Sequence, residues 1–374
     1  MKTRAAVLWE VGKDWSVEEV DLDDPQAGEV RVKLASSGLC HSDEHLLTGD
    51  LPSPIPIVGG HEGAGIVEAV GPGVASLKEG DHVVLGFIPS CGRCEACSTG
   101  HQNLCDLGAL ILSGEELAGG QRIHAKGHDI GTMCCLGTFS PYVVVHESSA
   151  IKIEDYIPLD KASLVGCGVT TGVGSAIYAG GTRSGDTVVV VGCGGIGVNA
   201  IQGARIAGAA QIVAVDPIPF KLDQAKIFGA THFASSFEEA LTLVKDITWG
   251  KLANVAIITT GVATGDLLAP TLGLVGKMGK VVVTAISPWL QSDVQLSLLD
   301  LTLYQKEIRG SIFGSANPRF DIPRLLKWYM DGQLKLDELV TKTYRLDEIN
   351  EGYRDMREGR NIRGMITFDR VEQV

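Results

Sequence analysis

Residues 187–216 read TVVVVGCGGIGVNAIQGARIAGAAQIVAVD. A β-branched run enters a glycine cluster, small and apolar residues follow as NAIQGARIAGA, and a second apolar run, QIVAVD, closes on an acid. That order is strand, tight turn, helix and strand, the opening βαβ unit of a doubly wound parallel sheet. The turn Gly192-Cys193-Gly194-Gly195-Ile196-Gly197 has GxGxxG spacing, which is common by chance but informative between a strand and a helix. The first two glycines of such a motif allow the tight turn and close approach of a pyrophosphate, and the last lets helix and strand pack closely. The N–H groups of the helix N-terminus are then turned toward phosphate. Asp216 ends the second strand about 20 residues on, where its carboxylate can accept both ribose hydroxyls, which favours NAD over NADP. Lys221 lies nearby and weakens that preference slightly.

Outward from this unit, Val255–Thr259 and Lys280–Ala285 are further strand candidates with helical patterns between them. Residues 1 to about 165 are different: short alternating segments such as Glu29–Leu34 and Gly65–Val70, broken by Gly, Pro and Asp, predict a β-rich region with long loops. After residue 312 come a helix-like stretch, DIPRLLKWYMDGQL, and a terminal strand, RGMITFD. This tail is expected to pack on the first region, giving a discontinuous domain of residues 1–168 and 313–374 around a cofactor domain of residues 169–312.

A chain of 374 residues suffices for two cores without disulfide staples. Its formal net charge of -13, with no gathered run of Lys or Arg, argues against nucleic acid and anionic membrane as partners and for small-molecule chemistry. The start, MKTRAAVLWEVGKDW, reaches charge too soon for a signal-peptide core, and no stretch of about 18 apolar residues follows, so a cytoplasmic location is expected. Nine cysteines in that setting suggest reduced thiols or metal ligands before disulfides.

Four of them, Cys91, Cys94, Cys97 and Cys105, fall in CGRCEACSTGHQNLC. Short turns bring successive sulfurs to one side of a loop, so four thiolates can converge tetrahedrally on one zinc. An iron–sulfur site is the competing reading, and no CP run of the bacterial ferredoxin type accompanies the cluster. Four cysteines leave no open coordination position, so this zinc should hold a loop and do no chemistry.

Cys40, His61 and Cys167 are far apart and singly unremarkable, since a lone cysteine is ordinarily buried packing. Their contexts are more telling. GLCHSDEHLLTGD, GGHEGAGIVEAVGPGV, the Cys91 cluster and VGCGVTTG resemble, in content and order, the zinc-dependent medium-chain alcohol dehydrogenases across essentially the whole chain. The resemblance implies a GroES-like catalytic domain joined to a Rossmann NAD-binding domain. It implies that Cys40, His61 and Cys167 bind a catalytic zinc with one position open, a pattern for which alcohol dehydrogenase is itself a standard example. Two thiolates and a neutral imidazole would leave Zn²⁺ a moderate Lewis acid, able to stabilise an alkoxide near neutral pH.

The same resemblance makes Asp43 the partner of His61, Glu62 a mobile carboxylate beside the metal, and Ser42 and His45 a proton relay. The alternatives are a surface acid for Asp43 or Glu62, a helix cap for Ser42 and a solvated position for His45. His41, where relatives carry arginine, and Arg363 in NIRGMITF become pyrophosphate contacts, and Lys221 an adenosine-ribose contact. Thr171 is expected against the nicotinamide, and Phe87, Leu110 and Ile312 along an apolar substrate channel suited to primary alcohols, with core packing as the alternative for these three. Cys134, Cys135 and Cys193 receive no metal role.

GFIPSCGRC, LVGCGVTTG, ATHFASSF, SIFGSANPRFDIPRLL and INEGYRDM look like an actinobacterial branch that uses nitrosodimethylaniline as artificial acceptor. That resemblance implies a nicotinoprotein, with NAD held tightly and reoxidised in place by a carrier such as mycofactocin. The extended segment between Cys105 and Leu136 resembles the channel loop of dimeric relatives, which implies a homo-oligomer, a dimer before other sizes. A thiol–formaldehyde adduct is a second substrate class, but it needs a basic group near DLGALILSG, which is apolar. A non-catalytic NAD-binding protein with structural zinc is the reading from another class, opposed by the complete Cys–His–Cys set and its relay residues.

Overall fold

The computed structural model describes residues 1–368, so the last residues of the expected discontinuous domain, including the final Asp of RGMITFD, lie outside it. The chain divides into two compact units, Met1–Cys167 with the chain from Asn317 onward, and Gly168–Ala316. The second unit thus ends at Ala316, a few residues beyond the expected boundary at 312, and the first unit resumes at Asn317.

The second unit carries six parallel strands in the order His232–Ala234, Gln211–Val215, Thr187–Val191, Ala253–Ile258, Val275–Val283 and Glu307–Gly310. Strand order therefore reverses beside Thr187–Val191, the switch point at which doubly wound sheets bind ligands. Val189, Val213, Ala256 and Val281 supply its buried core, as continuous apolar runs must when both sheet faces are covered. The strand expected at Lys280–Ala285 begins earlier, at Val275, and ends at Val283. Glu307–Gly310 forms one edge of the sheet and is exposed throughout.

In the first unit, Lys2–Leu8, Ser16–Leu22, Ile123–Ala125, His128–Thr132 and Ile57–Val58 close a small barrel. A second sheet contains Glu29–Gly38, Gly63–Val70 and His82–Leu85, with Tyr142–His146 also paired to Glu29–Gly38. Its register shifts twice between Glu29–Gly38 and Gly63–Val70. The late strand Arg363–Thr367 runs antiparallel to Ser36–Gly38, which returns the tail of the chain to its beginning. Trp15, Phe139 and Tyr353 are fully buried in the barrel-side core, with Trp15 edge-on to Phe139 at 5.5 Å. Among the described residues no single helix is long and apolar enough to cross a membrane.

Candidate metal centres and cofactor turn

The Cys91 loop is built by its own backbone. Cys94 is the N-cap of the short helix Glu95–Ser98, and its sulfur accepts the Cys97 N–H at 3.5 Å. The Cys94 N–H points to the Cys91 sulfur and the Cys91 N–H to the Cys105 sulfur, each at 3.4 Å. Sulfurs stand 3.9 Å apart for Cys91 and Cys97 and 4.0 Å for Cys94 and Cys105. Zn–S bonds of about 2.3 Å in a tetrahedron require about 3.8 Å, so these two pairs stand near zinc spacing, and all four donors lie within 4.8 Å of one another. Burial pushes the Cys91 thiol up, but the N–H groups of Arg93 and Cys94 bring it down to about 6, while burial pushes Cys97 to about 12. A cluster that disposes one thiol to ionise and resists ionising another needs a cation to hold all four as thiolates.

The second cluster is assembled from separate elements of the first unit. Cys40 is the N-cap of helix His41–Thr48, so the helix starts before Ser42, which is not its cap. His61 and Glu62 precede the strand Gly63–Val70, and Cys167 follows the 3-10 turn Ser163–Gly166. One donor atom from each of Cys40, His61, Glu62 and Cys167 lies within 4.8 Å of the others, and all four residues are buried. Asp43, wholly buried, faces His61 Nδ1 from Oδ1 at 3.3 Å and from Oδ2 at 3.2 Å. His61 Nε2 is then a buried nitrogen without a hydrogen-bond partner, which is costly unless a metal takes it. The Cys40 thiol is held well below the usual range by a hydrogen bond from Cys167, which overcomes burial, and Cys167 is correspondingly raised. Two buried sulfurs close to a buried imidazole nitrogen that lacks a hydrogen-bond partner are a donor set for a thiophilic, borderline-soft cation such as zinc.

Around this cluster, Glu62 forms a buried ion pair with Arg363. Gly38 makes room for it, since a Cβ there would stand 2.0 Å from Glu62 Oε2 and 2.9 Å from Arg363 Nη2. The pyrophosphate contact implied for Arg363 is therefore accompanied by a partner the sequence did not suggest. Ser42 Oγ lies 3.6 Å from the Cys40 sulfur, within reach of the cluster. His45 is buried, not solvated, and its Nδ1 lies 3.1 Å from Asp50 Oδ2. Thr48 and His45 hold the Asp50 carboxyl below its usual value, and Asp50 is a partner of His45 that sequence reading missed. The His41 ring meets His45 edge-on at 5.4 Å. Phe87 stands edge-on to His61 at 5.8 Å, whereas Leu110 is partly exposed on the turn Asp106–Leu110. Ile312 is also partly exposed and belongs to the second unit.

In the second unit Gly192 has φ +91°, and a Cβ there would lie 2.8 Å from the Thr260 nitrogen, so both conformation and space require glycine. Gly194 is the N-cap of helix Gly195–Ile206. Asp216 accepts the Cys193 N–H at 2.8 Å and the Ile218 N–H at 2.9 Å, tying the glycine turn to the end of the second strand. Each carboxylate oxygen retains a further lone pair for a ribose hydroxyl. Lys221 is half-buried on helix Pro219–Phe228. Thr171 is buried with Oγ1 unpartnered, as expected of a group that meets a ligand. The turn, the helix start and this hydroxyl fit a dinucleotide. Cys134, Cys135 and Cys193 are buried, and burial raises each thiol, Cys134 to about 12.

Residues 26–155 match the alcohol dehydrogenase GroES-like domain and residues 195–331 the zinc-binding dehydrogenase domain. The NDMA-dependent alcohol dehydrogenase of Amycolatopsis methanolica is 53% identical, over 98% of this chain and 99% of that protein. The chain belongs to the zinc-binding alcohol dehydrogenase family. Alcohol dehydrogenase B of Mycobacterium tuberculosis is 50% identical over 98% of this chain and 99% of its own. Among solved members of the family, the benzyl alcohol dehydrogenase of Acinetobacter calcoaceticus superposes with a TM-score of 0.91 at 33% identity, covering 98% of this chain and 99% of that one. The GroES-like and Rossmann-like parts of the family fold correspond to the barrel-bearing and parallel-sheet units.

Proposed function

We propose that this family member oxidises alcohols to aldehydes or ketones, with NAD as hydride acceptor and a zinc held by Cys40, His61 and Cys167, while a second zinc holds the Cys91 loop. The buried donor cluster with its partnerless His61 Nε2 is the observation that carries this reading. When bound, the metal supplies Lewis-acid stabilisation of the alcohol oxygen, and the nicotinamide takes the hydride. The chain's own residues do the rest. Ser42 Oγ receives the alcohol proton beside Cys40, and His45, engaged through Nδ1 by Asp50, accepts it through Nε2. Asp43 fixes the His61 tautomer, and Glu62 balances the Arg363 charge next to the cluster. His41 and Arg363 contact the pyrophosphate, Asp216 and Lys221 the ribose, and Thr171 the nicotinamide. Phe87 and Leu110 supply apolar contacts for primary alcohols, and Ile312 is assigned to the substrate as well.

On the likeness to the NDMA-dependent relative, we extend the reading to NAD that stays bound through turnover and is reoxidised in place by an external redox carrier of the mycofactocin type. Homo-oligomerisation, as a dimer, is supported by the exposed edge strand Glu307–Gly310 and by Trp289, Leu290, Leu298 and Leu299, which are exposed in the same unit. Six cysteines assigned as metal-binding thiolates suit a reducing cytoplasm. Unfolding the purified protein should release about one NAD per chain; an empty protein that is fully active with added NAD would refute retention. Activity toward benzyl or short primary alcohols, lost on replacement of His61, tests the core reading.

A further inference from the structure

Tyr353 lies on helix Ile349–Arg357, one turn before Arg357, so the two side chains share a face. Arg357 Nη1 donates to Glu44 Oε1 at 2.8 Å, bringing this face against helix His41–Thr48, which carries Asp43 beside Glu44. Asp43 Oδ1 accepts the Gly60 N–H at 2.7 Å and faces His61 Nδ1. Three polar atoms at this junction are buried without a satisfied hydrogen bond, Asp43 Oδ2, which only faces His61 Nδ1 at 3.2 Å, Glu44 Oε2 and Tyr353 Oη. The Tyr353 ring is enclosed by Trp15 and Phe139, each with its ring centre 6.2 Å away, and neither offers an acceptor for the phenol hydrogen, since the buried Trp15 Nε1–H can only donate. Ionisation of Tyr353 is opposed first by burial, then by the charges of Asp43, Cys40 and Glu44, and by hydrogen bonding toward Asp43. A buried donor and a buried acceptor so placed are each costly alone and satisfy one another together.

We propose that Tyr353 is a positioning residue of the catalytic metal site: its hydroxyl donates to Asp43 Oδ2, and the carboxylate so anchored holds His61 with Nε2 directed at the metal. The inference rests on Cys40, His61 and Cys167 being zinc ligands. Glu44 Oε2, also buried without a partner, is the competing acceptor. A phenylalanine at residue 353 would fill the same aromatic niche and leave Asp43 one donor short. Carboxylates and their supports behind a ligating histidine typically govern metal retention by 10- to 100-fold.

The test follows zinc release to a chelator from the holoenzyme, the catalytic phase being the one absent from Cys40→Ser. Tyr353→Phe should release that zinc about tenfold faster, with the Cys91-cluster phase unchanged. In an Asp43→Asn background the same change should add nothing, because the hydroxyl acts through that carboxylate. Glu44→Gln should release zinc at the wild-type rate. Tyr353→Phe at the wild-type rate, full additivity with Asp43→Asn, or an equal acceleration by Glu44→Gln would each overturn the proposal. Wild-type protein holding a single zinc, in the Cys91 cluster, would instead overturn the ligand assignment and this inference with it.

Discussion

The Cys91 loop and the Cys40–His61–Cys167 cluster draw on similar donors and, on the function proposed, serve opposite purposes. In the loop, all four ligands lie within one short stretch, and backbone N–H groups of the same turns point at their sulfurs. In the cluster, elements from separate parts of the chain meet, and side chains stand beside three of the four residues: Asp43 behind His61, Arg363 beside Glu62, Ser42 near Cys40. Four sulfurs close a coordination sphere, whereas two sulfurs and an imidazole leave a position for substrate. A site that only holds a loop can be specified locally, but a site that performs chemistry needs supports delivered by the whole fold.

The sharpest way to break that contrast is His61→Ala. Turnover should fall about a thousandfold or more, since the metal's stabilisation is worth several kcal/mol, while the Cys91-loop zinc stays, as elemental analysis would register. Next in size, Glu62→Ala leaves the buried Arg363 without its counter-charge and should cost about 3–5 kcal/mol in urea unfolding. Loss no greater than about 0.5 kcal/mol, as at ordinary surface sites, would show that the pair is not a support.

Cys97→Ser acts on the other side of the comparison. It should lower Tm by about 10 °C, equivalent to a few kcal/mol, and leave turnover of the folded protein unchanged. The last effect is read as a slope with pH and concerns Glu116, in the segment that follows the Cys91 loop. Burial, reinforced by Glu29 and opposed by the Thr132 hydrogen bond and Arg122, raises the Glu116 carboxyl to about 8. The folded state therefore keeps a proton that the unfolded chain loses near 4.5, so stability is full below that pH and falls as pH rises toward 8. The slope is at most about 1.4 kcal/mol per pH unit, and Glu116→Gln should flatten it in pH-dependent denaturation.

The sequence carried the parallel-sheet unit because apolar strands, a glycine turn and a small-residue helix are all local signals. The Cys91 loop was legible for the same reason. Barrel strands such as Ile57–Val58 are too short to show a period, and their pairing is set by topology. Arg363 meets Glu62 because the strand Arg363–Thr367 runs beside Ser36–Gly38, a fact no spacing encodes. Asp50 reads as a polar residue after the helix-ending Gly49, and Tyr353 as one aromatic on an amphipathic helix. His45, the partner of Asp50, and Asp43, the acceptor proposed for Tyr353, become visible once the helices are packed.

Zinc stoichiometry measured alongside turnover in wild type, Cys40→Ser and Cys97→Ser tests the division of labour most directly. The expected result is two zincs with activity, one zinc without activity, and one zinc with activity in the molecules that remain folded. One zinc in the wild type, or activity that survives Cys40→Ser and vanishes from folded Cys97→Ser, would contradict it.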